Sequence, residues 1–311
     1  MEIIPFDKAD RIAGATLHSY KHISASPGVL VAPQQNWPRF GYNLQEDILY
    51  VSSYGEITNW LWPDGIRYKE YKGPDGNNVN EYALSMYSSL MAVRHDRTID
   101  LLNGKGMQKV QTITLDYYNS FTGAMTLTKD DKLVCLAQTP DQTVRVYRVS
   151  DGALESSYGF SEYLNIYDSS FSPDGCYLCC GNVDRSGFTI VTFENNRPVS
   201  IKKLDQPYST WCMNPLNPEQ LIVSAQGKIF LYNCRDLSLE KTLDYQGMVA
   251  GNVDPKTGFL LLRGSNNVKV IDMQTNTVLY TKNVATECKL YGNVLLSNTG
   301  YALHIEKDLK K

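Results

Sequence analysis

Three of the chain's seven cysteines stand within five residues, at Cys176, Cys179 and Cys180. Two thiolates at C-x-x-C spacing could hold zinc or exchange disulfides if a turn or a helix N-terminus brought both sulfurs together. The run "CYLCCGN" instead reads as a strand, on which residues i and i+3 face opposite sides. No second C-x-x-C or C-x-x-H follows to complete a set of four ligands. These cysteines are therefore read as buried structural thiols, packing as small hydrophobes, with no metal or cofactor expected. His18 and His22 share a face if residues 7–22 form a helix, but the Glu of H-E-x-x-H is absent and no third ligand stands out. A Ser-His-Asp site finds little material: the chain has 4 histidines and no G-x-S-x-G elbow.

The elements that would position any such group come from a repeat. Residues 167–204 hold four strand-like pieces, "YDSSFSP", "CYLCCGN", "FTIVTFE" and "PVSIKKL", the first two pinched around Pro173-Asp174-Gly175. The same order recurs over 209–245, 249–283 and 124–160, and more weakly over 82–115 and 39–73. At the C-terminus "TECKLYG", "NVLLSNTG" and "YALHIE" supply three strands only. Third-strand positions Asn59, Leu101, Val146, Val191, Leu231, Val270 and Leu303 stand 42, 45, 45, 40, 39 and 33 residues apart. Four short strands every ~40–45 residues is the period of a propeller blade, a unit that buries its faces only against neighbours.

Composition agrees. Of 311 residues, 42% are hydrophobic and 20% charged, with a net charge of −3. That is ordinary for a chain with a sizeable core, and the absence of a basic excess argues against a nucleic-acid or anionic-membrane partner. No apolar run approaches the ~18 residues needed to span a bilayer, and no signal peptide is visible. An odd number of scattered cysteines suits reduced thiols in the cytoplasm.

The pattern resembles the WD-repeat and related YVTN-type propellers over residues 39–306. "FSPDG" at 171–175 looks like the turn between the first two strands of a WD-repeat blade, and "VKVIDMQTNTVL" and "VRVYRVSDGAL" look like its third strand and following turn. The Trp-Asp pair that ends the third strand in that family is replaced by "VIDM", "VYRV" and "LYNC", and the Gly-His pair is missing. The expected fold is all-β: a single seven-bladed β-propeller of four-stranded antiparallel blades. Residues 1–6 supply the closing strand of blade 7, and 7–38 form an extended insertion.

The resemblance implies sites around the channel mouth, fed by the fourth-to-first and second-to-third strand connections. Leu115-Asp116-Tyr117-Tyr118, Leu204-Asp205-Gln206-Pro207-Tyr208 and Leu243-Asp244-Tyr245 repeat a Leu-Asp…Tyr ending, and Tyr163 holds the comparable place in blade 4. The second-to-third connections are expected to add Arg94, Arg185 and Arg263. Tyrosine and arginine on one face are the composition of a protein-binding hot spot. The same tyrosines could equally cap the grooves between blades. The expected function is a non-catalytic scaffold binding a protein or peptide. Propeller lactonases give the alternative, a hydrolase whose divalent metal would sit among Asn43, Asn252, Glu287 and Asp168.

Overall fold

A computed structural model describes residues 39–53, 56–61, 66–73, 81–95, 97–115, 122–137, 142–283, 288–292, 294–297 and 302–304. They form six four-stranded antiparallel sheets and one three-stranded sheet, each built from consecutive strands in simple up-and-down order. The fold is an all-β propeller. The first strands are Arg39–Asn43, Glu81–Leu84, Thr122–Leu127, Ser169–Phe171, Thr210–Asn214, Val249–Val253 and Cys288–Tyr291. Six blades are complete, against the seven that the repeat count predicts. The seventh unit holds Cys288–Tyr291, Val294–Ser297 and Ala302–His304, and residues 1–6, expected to complete it, lie outside the described residues.

Period-two patterning explains why the blades stack. In blade 4 the second strand, Tyr177–Gly181, sends Tyr177 and Cys179 into a core shared with blade 5. Leu178 and Cys180 point the other way, into a core shared with blade 3. Each core therefore lies between blades, where no blade could bury it alone. Fourth strands are half exposed by the same logic: Arg197–Leu204 alternates residue by residue between exposed and half-buried.

The repeat is also written in the turns. Each complete blade ends its first strand on, or just before, a buried polar residue that caps the turn into the second: Asn43, Ser85, Thr128, Ser172, Asn214 and Asp254. Their side-chain oxygens accept the amides of Gln45 (2.8 Å), Tyr87 (3.1 Å), Lys132 (3.2 Å), Tyr177 (2.9 Å), Leu216 (3.0 Å) and Lys256 (3.1 Å). A short polar side chain turned back on its own backbone is the chemistry of Asx- and ST-turns. Polar bonds also stitch neighbouring blades near the channel: Asn252 Nδ2 donates to Leu290 O (2.8 Å), and Leu290 N to Asn252 Oδ1 (2.9 Å). Tyr42 stacks on Tyr291 at 6.3 Å, joining blade 1 to the three-stranded sheet. Lys256 pairs with Asp47 at 2.7 Å, tying a turn of blade 6 to one of blade 1.

Candidate functional site

With strands in simple order, the fourth-to-first and second-to-third connections emerge at the same end of every blade. The sequence-derived residues divide sharply there. Tyr208 is buried, 7% exposed, with its ring stacked on Phe188 at 4.5 Å. Its hydroxyl donates to Asp168 Oδ2 at 2.5 Å and lies 3.1 Å from the Asn182 carbonyl oxygen. Trp211 packs edge-on against Phe188 and donates Nε1–H to Asp168 Oδ1 at 2.8 Å. Burial, reinforced by the Asp168 hydrogen bond, pushes the Tyr208 phenol up from its ordinary value. Tyr208 thus belongs to the blade 4–5 seam and offers no surface to a partner.

Arg94 is also removed from the candidate face. The second strand of blade 2 runs Leu90–His95, so Arg94 is a strand residue rather than a loop residue, and it is fully buried. Arg263 ends the second strand of blade 6 and lies half-buried, its Nε close to the inner-strand Gly251. Tyr245 is half-buried against the blade 5–6 core, and its hydroxyl donates to Asn276 Oδ1 at 3.0 Å. Tyr117 and Tyr118 lie outside the described residues, as do His18, His22 and Glu287.

Tyr163 and Arg185 remain, both exposed and both at the end of blade 4. Two residues that the sequence reading passed over join them. Tyr163, Tyr167 and Val183 are 62%, 67% and 74% exposed, the three highest values for a large apolar side chain among the described residues. Tyr163, Val183, Asp184, Asn165, Asn182 and Ser186 line an open hollow of about 480 Å³. An apolar residue inside the Gly-bounded polar run "GNVDRSG" was the available signal for Val183.

The display is held rigidly. Between the two tyrosines, Leu164 is fully buried, and its backbone trades two bonds with the Gln142 amide, 2.7 and 2.9 Å long. Asn165 Nδ2 donates to Gly181 O at 2.9 Å, and a single 3-10 turn, Ile166–Asp168, carries Tyr167 outward. The loop bearing Val183 closes with Arg185 N on Asn182 O (2.9 Å) and Asn182 N on Gly187 O (2.8 Å). Arg185 adopts a left-handed backbone, φ 58°, inside that tight turn. Pre-ordered loops lose little conformational entropy on binding.

Among the described residues no group of three or more His, Cys, Asp or Glu is placed to hold a metal ion. The candidate oxygens on the described inner strands have other bonds: Asn43 caps its turn, Asn252 stitches blade 6 to the next sheet, and Asp168 takes Trp211 and Tyr208. None of the seven cysteines is in a disulfide. Cys179 and Cys180 are buried on opposite faces of blade 4, and burial pushes the Cys180 thiol up to about 12. Cys176 precedes the strand, so the expected opposition to Cys179 does not hold. It packs at the same blade 4–5 core, and burial, then Asp174, pushes its thiol up to about 12.

No protein-family model matches the chain, and no curated protein matches it. Solved structures do. A chain of the crystal structure of the mitotic checkpoint complex aligns with a TM-score of 0.64 at 12% identity, covering 93% of this chain and 96% of that one. The likeness is one of fold. It places a similar propeller within a protein complex, and no helix of the described residues is long and apolar enough to cross a membrane.

Proposed function

We propose that the chain is a cytoplasmic, non-catalytic scaffold that binds another protein or peptide on the loop end of blade 4. One observation carries this reading: Tyr163 and Val183, two of the three most exposed large apolar side chains described, line one hollow on two hydrogen-bonded loops, and the third, Tyr167, follows Tyr163 on the first of those loops. Scattered single apolar residues on a surface need no explanation, but three gathered on rigid loops have the composition of a hot spot. The fold's occurrence in a mitotic checkpoint complex is consistent with a protein partner.

Tyr163→Ala with Val183→Ser tests the reading. Both side chains are largely in solvent, so melting should stay within about 1 °C. Affinity for the partner should fall roughly thirtyfold, about 2 kcal/mol. Lowered melting with native affinity would instead return these residues to packing and move the binding site to residues 7–38.

The same proposal includes ring closure. Among the described residues the last sheet has three strands where every other unit has four, and residues 1–6 are the segment assigned to its fourth place. Their removal should lower the melting temperature of the whole molecule by exposing an unpaired strand edge. An unchanged midpoint and solubility would refute the closure.

A further inference from the structure

The hollow of blade 4 carries a charge pattern that its apolar rim does not explain. Asp184 engages only Oδ1, which accepts from the Ser186 amide (3.0 Å) and hydroxyl (2.7 Å), and Asp184 enters no ion pair with the described residues. Asp205 is exposed on the adjoining connection, packed beside Gly187, and is likewise without an ion pair there. Glu162 is already matched by Lys203 at 3.0 Å. Arg185 is the one cation of these two connections, and it is not among the residues that line the hollow. Of the residues that line the hollow Asp184 is the one that carries a charge, so the hollow favours a positively charged guest and repels a carboxylate or phosphate.

The rest of the wall narrows the chemistry. Tyr163 offers an exposed ring at the rim, and Asn165, Asn182 and Ser186 offer polar groups beside Asp184. A guanidinium is planar, stacks on an aromatic face and presents five donors in a fork that suits a carboxylate. A lysine ammonium is a compact, strongly hydrated point charge and gains less from a ring. We propose that this hollow receives an arginine side chain of the partner, with Tyr163 against the guanidinium plane and Asp184 Oδ2 accepting from it. The proposal rests on the blade-4 end being the binding face, and it names the partner's anchoring residue.

The test uses the full chain and a defined probe, N-acetyl-arginine methylamide, followed by amide NMR shifts. We expect saturable shifts confined to residues 163–168 and 181–187, with a dissociation constant of about a millimolar. The citrulline analogue keeps the shape and loses the charge, so it should bind about tenfold more weakly, as should the arginine probe to Asp184→Asn. Tyr163→Ala should weaken arginine more than it weakens the lysine analogue. Equal binding of arginine and citrulline, binding indifferent to Asp184→Asn, or no localised shift would each overturn the arginine anchor. These outcomes leave the proposed face to be judged separately, by the partner-binding behaviour of Tyr163→Ala with Val183→Ser.

Discussion

Replacing Asp168 by alanine should cost about 3 kcal/mol, the largest loss expected from any single side chain at this end of the molecule. Its carboxylate accepts from Trp211 Nε1 and from the Tyr208 hydroxyl, both contributed by blade 5, while Asp168 itself stands at the entrance to blade 4. Removal leaves Trp211 Nε1–H without its acceptor in a partly buried seam and leaves the Tyr208 hydroxyl only the longer bond to Asn182 O, 3.1 Å. The cost of an unmade bond, rather than the net worth of a made one, sets the magnitude. For a chain of this size the melting temperature should fall by roughly 6 °C. Asp168→Asn retains one acceptor oxygen and should fall between the wild type and Asp168→Ala. Tyr208→Phe, made in the Asp168→Ala background, should cost less than it does alone, because the nearer of its two acceptors has already gone. Additive losses would show that the two groups do not act as a pair.

Gly181→Ala should be nearly as damaging, for a steric reason. A Cβ built at Gly181 would overlap the Tyr208 hydroxyl and crowd Asp168 Oδ2. Gly181 ends a strand paired to Phe188, so its backbone cannot retreat without breaking the ladder, and Phe188 itself carries the stacked Tyr208 ring. Tyr208 must leave its site, losing both the stack and the hydrogen bond. Overpacking of this kind costs about 3 kcal/mol. The cause is separable: in a Tyr208→Ala background only the Asp168 carboxylate still crowds the methyl and can turn into the space the phenol leaves, so adding Gly181→Ala should cost clearly less than it does in the native protein. An equal loss in both backgrounds would place the strain elsewhere, in the strand itself.

These two residues show how unevenly the site could be read in advance. The repeat was legible because blade packing demands it twice over, in the alternation of apolar residues and in the polar caps such as Ser172 and Asp254. The same alternation separates Cys179 from Cys180, whereas the opposition expected of Cys176 and Cys179 failed because the strand begins at Tyr177. Tyr208 and Tyr163 could not be told apart, since both follow the end of a fourth strand. What separates them is where Asp168 and Phe188 sit in three dimensions, some 20 to 40 residues away in sequence. Arg94 was assigned to the second-to-third connection, but the second strand of blade 2 continues to His95. Val183 and Tyr167 were passed over because exposure, unlike burial, leaves no periodic trace.

The central claim is that the loop end of blade 4 meets a protein partner. A photo-crosslinking residue at position 183, 74% exposed in the native protein, tests it most directly when compared with the same residue at Val110, 52% exposed on the outer strand of blade 2. From position 183 the account predicts a discrete adduct of defined mass that disappears when Tyr163→Ala is added, and from position 110 no such adduct. The same adducts from both positions, or an adduct from 183 indifferent to Tyr163→Ala, would contradict it.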